Sequence, residues 1–329
     1  MAPDAEPADP LAVDLAGVRL QSPLVLAAGT AGYADEILDV VPARVLGAVT
    51  SKSITMQSRE GHPTWRVAPI RGGMLNAIGL ANMGVDRFVE HVLPRQRLAE
   101  HGVRLFASVA GDTIEGYVRV AAQLGAHESV DAVELNVSCP NVHGGSDFGA
   151  DPATLRDLVA AVRAALPSTR LIVKLPPIAV GLPGIVEVAR AAIEGRGESA
   201  GPNRRPGADV LCIANTTPAM AIDVRTRRPV LSNTTGGLSG PAVHAIAVKL
   251  VNDVHKNLAH DAGVPIIGLG GVTRWEDAAE FVLAGATAIG LGTATLADPG
   301  IAKRVHRGLG RWVRKEGIGS LAGVVGAAG

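Results

Sequence analysis

The sequence predicts a closed barrel of eight parallel strands with helices on its outside, a (β/α)₈ fold in one domain. Short apolar, β-rich runs alternate with helical patterns in β-then-α order, the signature of a parallel sheet. Eight such runs can be counted. Of the 329 residues 47% are hydrophobic but only 3% are aromatic, so the core is built from Val, Ile, Leu and Ala. That composition suits strands covered on both faces. A barrel of this kind takes about 250 residues, so one domain accommodates the chain.

In chain order, the opening MAPDAEPADP is acidic and proline-rich with no apolar centre. It reads as a disordered tail at 1–10, unlike a signal peptide or an anchor, ahead of a single domain at 11–329. Strands are expected at Pro23 to Ala28 and Gly47 to Lys52. The interval 49–104 exceeds one crossover, so an inserted loop or hairpin is expected near residues 55–84, before a helix from Val85 to Glu100. Next come strand Leu105 to Ala110 with helix Thr113 to Leu124, and strand Ala132 to Val137 with helix Pro152 to Ala165. Strand Leu171 to Leu175 precedes helix Pro183 to Glu194. The stretch GRGESAGPNRRPGAD, Gly195 to Asp209, has no apolar period and reads as a solvated insertion. Strand Val210 to Ala214 is followed by helix Pro241 to Leu258, where Ile246, Leu250 and Val254 recur at helical spacing. Strand Pro265 to Leu269, helix Trp275 to Leu283 and strand Ala286 to Leu291 complete the barrel.

Bulk properties exclude several functions. Lys plus Arg and Asp plus Glu each total 31, so the net charge offers no general attraction for nucleic acid or an anionic membrane. No apolar run is long enough to span a bilayer. Two cysteines, Cys139 and Cys212, are too few for a disulfide framework or the four thiolates of an iron–sulfur cluster, and no metal site is expected. A reducing cytoplasm is the simplest setting.

The chemistry of such barrels sits at the carboxyl ends of the strands. Here those ends are Ala28-Gly29, Lys52, Ser108, Asn136, Lys174, Asn215-Thr216, Gly270-Gly271 and Gly292-Thr293. Lysines and asparagines closing apolar strands are costly to bury without a partner, and a ligand rich in acceptors and donors would satisfy them. Paired glycines after the last two strands, with TTGGLSG at 234–240, free backbone N–H groups for a phosphate. Lys52 and Lys174 read either as surface lysines or as cations that stabilise charge on a reduced flavin. The most informative stretch is ELNVSCPN at 134–141. Cys139 there, in a loop stiffened by Pro140, is a candidate nucleophile or general base. Cys212, inside VLCIAN, reads as core filler. Asn76, in GGMLNAIGLAN, supplies an amide that can donate and accept.

Together GGMLNAIGLAN, ELNVSCPN, VKLPP, ANTT, TTGGLSGPAV, PIIGLGGV and GLGTA resemble class 1 dihydroorotate dehydrogenase, over about Val13 to Val305. The resemblance implies a TIM barrel with FMN at its mouth and dihydroorotate stacked on the ring. Cys139 would remove the C5 proton while the C6 hydride moves to flavin N5, giving orotate for pyrimidine biosynthesis. Substrate positions would be Lys52, Asn76, Ala77, Ile78, Gly79, Leu80, Asn136, Asn215 and Thr216. Flavin positions would be Ala28, Lys52, Ser53, Ser108, Asn136, Lys174, Ala214, Gly240, Gly270, Gly271, Gly292 and Thr293. Two positions depart from the family: Ser108 stands where asparagine is common, and Ala28 where serine is frequent. The quinone-linked, membrane-binding class 2 enzymes carry serine in place of Cys139.

Within class 1, LNAIGLAN and GGLSGPAV are closer to the NAD-linked subtype, class 1B. That implies a partner subunit carrying FAD and a [2Fe–2S] cluster in a heterotetramer; the other subtype is a homodimer that reduces fumarate. Two rival readings are a dihydropyrimidine dehydrogenase-like FMN subunit, whose relatives follow the CP pair with histidine where this chain has Asn141, and a non-redox barrel that binds a sugar phosphate. A catalytically dead barrel is disfavoured by intact Cys139 and Lys174.

Overall fold

A computed structural model describes residues 9–138, 148–195 and 205–328. Cys139 and most of the 195–209 stretch therefore lie outside the described residues, as do residues 1–8 of the expected tail. Asp9 and Pro10 are tied to the domain: the Leu11 amide donates to Asp9 Oδ1 at 2.9 Å, and the Leu321 amide donates to the Pro10 carbonyl.

Eight strands close a parallel barrel in chain order: β1 (Leu24–Leu26), β2 (Ala48–Thr50), β3 (Arg104–Val109), β4 (Ala132–Asn136), β5 (Arg170–Leu175), β6 (Val210–Ile213), β7 (Ile266–Leu269) and β8 (Ala288–Leu291). Each falls inside or within a residue of its expected run. Side chains from all eight join one continuous apolar core. Cys212 belongs to it and is 3% exposed, with burial pushing its thiol well above the ordinary range.

Helices follow the apolar spacing where a cap agrees with it. Ile114–Gly125 starts where Thr113 accepts the Gly116 amide at 3.1 Å, and Pro152–Ala165 where Asp151 accepts the Thr154 amide at 2.8 Å. Two expectations need correction, and one helix was not expected. The helix expected from Val85 to Glu100 ends at His91, because Pro94 lacks an N–H and its ring blocks the next turn. The one expected from Pro241 to Leu258 is divided into a 3₁₀ turn at Pro241–Val243, an α-helix at His244–Val254 and a wider π turn at His255–Ala259. The sequence reading also passed over Ile301–Lys315, whose buried Ile301, Val305, Leu309 and Val313 face inward beneath a basic outer face. Gly308 lets this helix close on Trp275, since a Cβ there would lie 2.2 Å from the indole.

The insertion near 55–84 does hold a hairpin, Val67–Ile70 with Gly73–Asn76. It is half of a larger element: Gly73–Asn76 pairs with Gly236–Ser239, which pairs with Thr217–Ala219. This four-stranded antiparallel sheet joins the loop after β2 to the loop after β6. Leu75, Ala77 and Leu231 form a small core beneath it. At its tightest point a Cβ on Gly73 would stand 1.9 Å from the Ser239 carbonyl, so only glycine fits.

Candidate active site

A cavity of about 590 Å³ opens at the carboxyl end of the barrel, walled on one side by the four-stranded sheet. Of the expected positions, Ala28, Lys52, Ser53, Asn76, Ile78, Leu80, Asn136, Lys174, Ala214, Asn215, Thr216, Gly240, Gly270, Gly271, Gly292 and Thr293 line it. Ala77, Gly79 and Ser108 do not. Asn76, at the end of its strand, and then Ile78 and Leu80 reach the cavity, while Ala77 and Gly79 between them do not. Ala77 faces the small core, and Gly79 packs on His62, which a Cβ would approach to 2.4 Å.

The asparagines are locked in register. Asn215 Nδ2 donates to Asn136 Oδ1 at 3.0 Å, and Asn136 Nδ2 donates to Ser53 Oγ at 3.3 Å. Ser53 Oγ lies 2.9 Å from Ser108 Oγ. Ser108 is fully buried behind this wall, so its hydroxyl braces Ser53 and does not reach the cavity. Tyr117 donates its hydroxyl to the Asn136 carbonyl at 2.6 Å, anchoring the end of β4 from the adjacent helix. On the sheet, Asn76 Nδ2 donates to the Gly237 carbonyl at 3.1 Å.

Two lysines bring positive charge to the cavity. Lys174 is only 6% exposed. Lys52 is half-buried, and its pKa is lowered first by desolvation and then by the Arg66 guanidinium. A half-buried lysine on the cavity wall, disfavoured as a cation by its surroundings, is a place where a bound carboxylate would restore the charge. The sequence reading did not identify Arg66; the only local signal was an arginine next to the first strand of the inserted hairpin.

Asn82 was also passed over as a structural device. Buried behind the rim, its Oδ1 accepts the Thr55 amide at 3.2 Å and the Gly84 amide at 2.8 Å, while Nδ2 donates to the Leu80 carbonyl at 2.8 Å. That clamp holds Leu80 at φ 55°, a left-handed conformation uncommon for a leucine, with its side chain on the cavity wall. Sequence analysis also did not single out Thr30, Met74, Leu238, Ser239 and Leu269, which are among the other residues of the lining.

At the other end the glycines form a close cradle. Gly271, at φ 69°, lies so near Gly240 that a Cβ would come within 2.7 Å of the Gly240 carbonyl, and a Cβ on Gly240 would stand 2.6 Å from Gly73 Cα. His244, at the start of the following helix, is 2.9 Å from the Gly270 carbonyl through Nδ1 and 3.0 Å from Glu280 through Nε2, which pins this loop. A backbone cradle without side chains beside a helix start suits a phosphate. Buried lysine and ordered amides at the opposite end suit a flat heterocycle with carbonyl and N–H edges. The residues present therefore fit FMN.

Comparisons with known proteins agree. Residues 10–313 match the family described as dihydroorotate dehydrogenase. A curated relative from Bacteroides thetaiotaomicron, named dihydroorotate dehydrogenase B (NAD(+)), catalytic subunit, is 40% identical over 96% of this chain and 98% of its own length. One of the same name from Geobacter sulfurreducens is 42% identical over 96% and 97%. The crystal structure of an Eimeria tenella dihydroorotate dehydrogenase in complex with ferulenol superposes with a TM-score of 0.78 at 23% identity, covering 99% of this chain and 90% of that one, a likeness of fold. With the family matched from the first described strand to the last long helix, the chain belongs to the dihydroorotate dehydrogenases.

Proposed function

We propose that this chain is the FMN-carrying catalytic subunit of an NAD-linked dihydroorotate dehydrogenase, oxidising dihydroorotate to orotate in pyrimidine biosynthesis. The carrying observation is the cavity itself, with a glycine cradle at one end, Lys174 at depth and three asparagines converging on the space between. A dihydropyrimidine substrate accounts less well for Lys52, since among the ring substrates dihydroorotate adds a carboxylate for it.

When bound, FMN supplies the acceptor for the hydride from C6 of the substrate. Lys52 holds the substrate carboxylate. Asn76, Asn136, Asn215 and Thr216 meet the ring's carbonyl and N–H edges, and their mutual bonds orient them before substrate arrives, so little ordering remains at the moment of reaction. Ile78 and Leu80 exclude water from one side. Cys139, three residues beyond Asn136, is assigned by resemblance as the base that takes the C5 proton; as a thiolate it becomes a neutral thiol in doing so. Gly240, Gly270, Gly271, Gly292 and Thr293 take the phosphate. Ala28, Ser53 and Ala214 complete the flavin wall.

The relatives' designation as catalytic subunits supports a second subunit here too, one that carries FAD and a [2Fe–2S] cluster and passes electrons to NAD. Among the described residues no helix is long and apolar enough to cross a membrane, and we place the enzyme in the cytoplasm. The direct test is an anaerobic titration of the FMN-loaded chain with dihydroorotate. Bleaching of the flavin supports the reading, and an unchanged spectrum overturns it. Assay of the chain alone and with its co-expressed partner then separates NAD reduction by the complex from fumarate reduction by a homodimer.

A further inference from the structure

Directly beneath the cavity lies a carboxylic acid that the steps above do not use. Glu134, two residues before Asn136 on β4, is 3% exposed, and its Oε1 has no hydrogen-bond partner among the described residues. Such a group is costly in a barrel interior, and a carboxyl there needs either a proton or a cation. Burial pushes its pKa up, while the Lys174 ammonium and then a hydrogen bond from Ser108 pull it back. On the next strand Lys174 stands in register with Asn136, two residues along from Glu134, so ammonium and carboxyl share the barrel interior on adjacent strands without a direct ion pair. The hydrogen bonds of the wall run toward the same acid. Asn215 donates to Asn136 and Asn136 to Ser53, which leaves the Ser53 hydroxyl free to donate to Ser108, the residue whose hydroxyl favours the ionised Glu134.

We propose that Glu134 is a positioning residue for the flavin reaction: its carboxylate is the buried charge, one strand away, that offsets the Lys174 ammonium at the floor of the cofactor cavity. The inference rests on the FMN reading above. Lys174 lines the cavity and Glu134 does not, so the lysine is the nearer charge and dominates what a reduced, anionic ring meets. Without Glu134 the ammonium is left buried and uncompensated, and burial then acts against its charge. Glu134 therefore favours the reduced flavin indirectly, although a carboxylate acting alone on the ring would disfavour it.

The experiment is a measurement of the flavin midpoint potential in the FMN-loaded wild type, Glu134→Gln, Lys174→Met and the double variant, by dye equilibration without substrate. A wild-type chain that takes up no FMN overturns the FMN reading itself and is seen before any variant is compared. With flavin bound, Glu134→Gln should shift the oxidised-to-reduced equilibrium about tenfold toward oxidised, about 30 mV downward for a two-electron couple. The same substitution should do little in the Lys174→Met background. An unchanged potential, a rise, or an equal shift in both backgrounds refutes the pairing. If Glu134→Gln does not accumulate as a folded flavoprotein, melting temperatures of Glu134→Met, Lys174→Met and their combination decide. A double variant that melts above either single supports the pair, and simple addition of two losses overturns it.

Discussion

Replacing Gly237 by alanine tests the substrate half of the cavity without substituting any residue that lines it. Gly237 lies in the strand Gly236–Ser239, paired with Pro218, and is absent from the glycines with positive φ, so its backbone conformation suits alanine. Space alone excludes the methyl group: the new Cβ would stand 1.9 Å from Thr216 Oγ1 and 2.6 Å from Thr216 Cβ. Because the nearer atoms include Thr216 Cβ, rotating the hydroxyl is insufficient and the start of Thr217–Ala219 must move. Asn76, which donates to the Gly237 carbonyl at 3.1 Å, loses its rest at the same time. A hydrogen bond to a neutral partner contributes about 0.5–1.5 kcal/mol, so disturbing the Thr216 and Asn76 bonds to substrate together costs about 1–3 kcal/mol. That corresponds to a fall of roughly 5- to 150-fold in kcat/KM for dihydroorotate. The overpacking should also cost about 1–3 kcal/mol of stability, so the assay belongs well below the variant's melting temperature. Flavin content from the absorbance of the purified protein should stay at the wild-type level, since the glycine cradle at Gly240, Gly270 and Gly271 is a separate part of the wall. Wild-type kcat/KM in the alanine variant, or loss of FMN in place of a substrate defect, refutes this account of Thr216 and Asn76.

Three further outcomes are expected. Cys139→Ala should keep its FMN but slow flavin reduction by dihydroorotate roughly 10²- to 10⁴-fold in stopped flow, as loss of a general base does; reduction at the wild-type rate removes Cys139 from the chemistry. Lys52 is held below its ordinary value of 10.5 by burial and then by Arg66, and a bound carboxylate favours its charge. Substrate binding is therefore strongest where Lys52 is protonated and weakens as pH rises through its lowered pKa, so KM for dihydroorotate should climb in that alkaline window beneath 10.5; the permanently charged Lys52→Arg should flatten the climb. Asp209→Ala should strand Arg163, whose Nη1 lies 2.7 Å from Asp209 Oδ2 with both side chains under 5% exposed. The expected loss is about 3–5 kcal/mol in denaturant unfolding, and a loss below about 1 kcal/mol, typical of exposed pairs, contradicts a buried pair.

The sequence by itself determined the barrel. Eight apolar runs of five or six residues, separated by helical spacing, admit few arrangements other than a parallel closed sheet, because hydrophobic burial on both faces is written into each run. It also marked the rim, since a lysine, asparagine or glycine pair at the end of an apolar strand is visible one strand at a time. Separating the cavity residues Asn76, Ile78 and Leu80 from Ala77 and Gly79 was not legible, because beyond Asn76 the chain leaves the strand and passes through positive φ at Gly79 and Leu80. Only the tertiary structure decided the rest. The pairing of Gly73–Asn76 with Gly236–Ser239 joins segments about 160 residues apart, and no local propensity encodes such a partner. Likewise Ser108 reads as a strand-end ligand until β3 is seen to place it behind Ser53. Glu134 is the clearest case: in ELNVSCPN it is one polar residue of a motif, and its meaning comes from the parallel register that sets Lys174 on the neighbouring strand. Electrostatic pairing in a barrel interior depends on distances across strands, and those distances exist only once the barrel has closed.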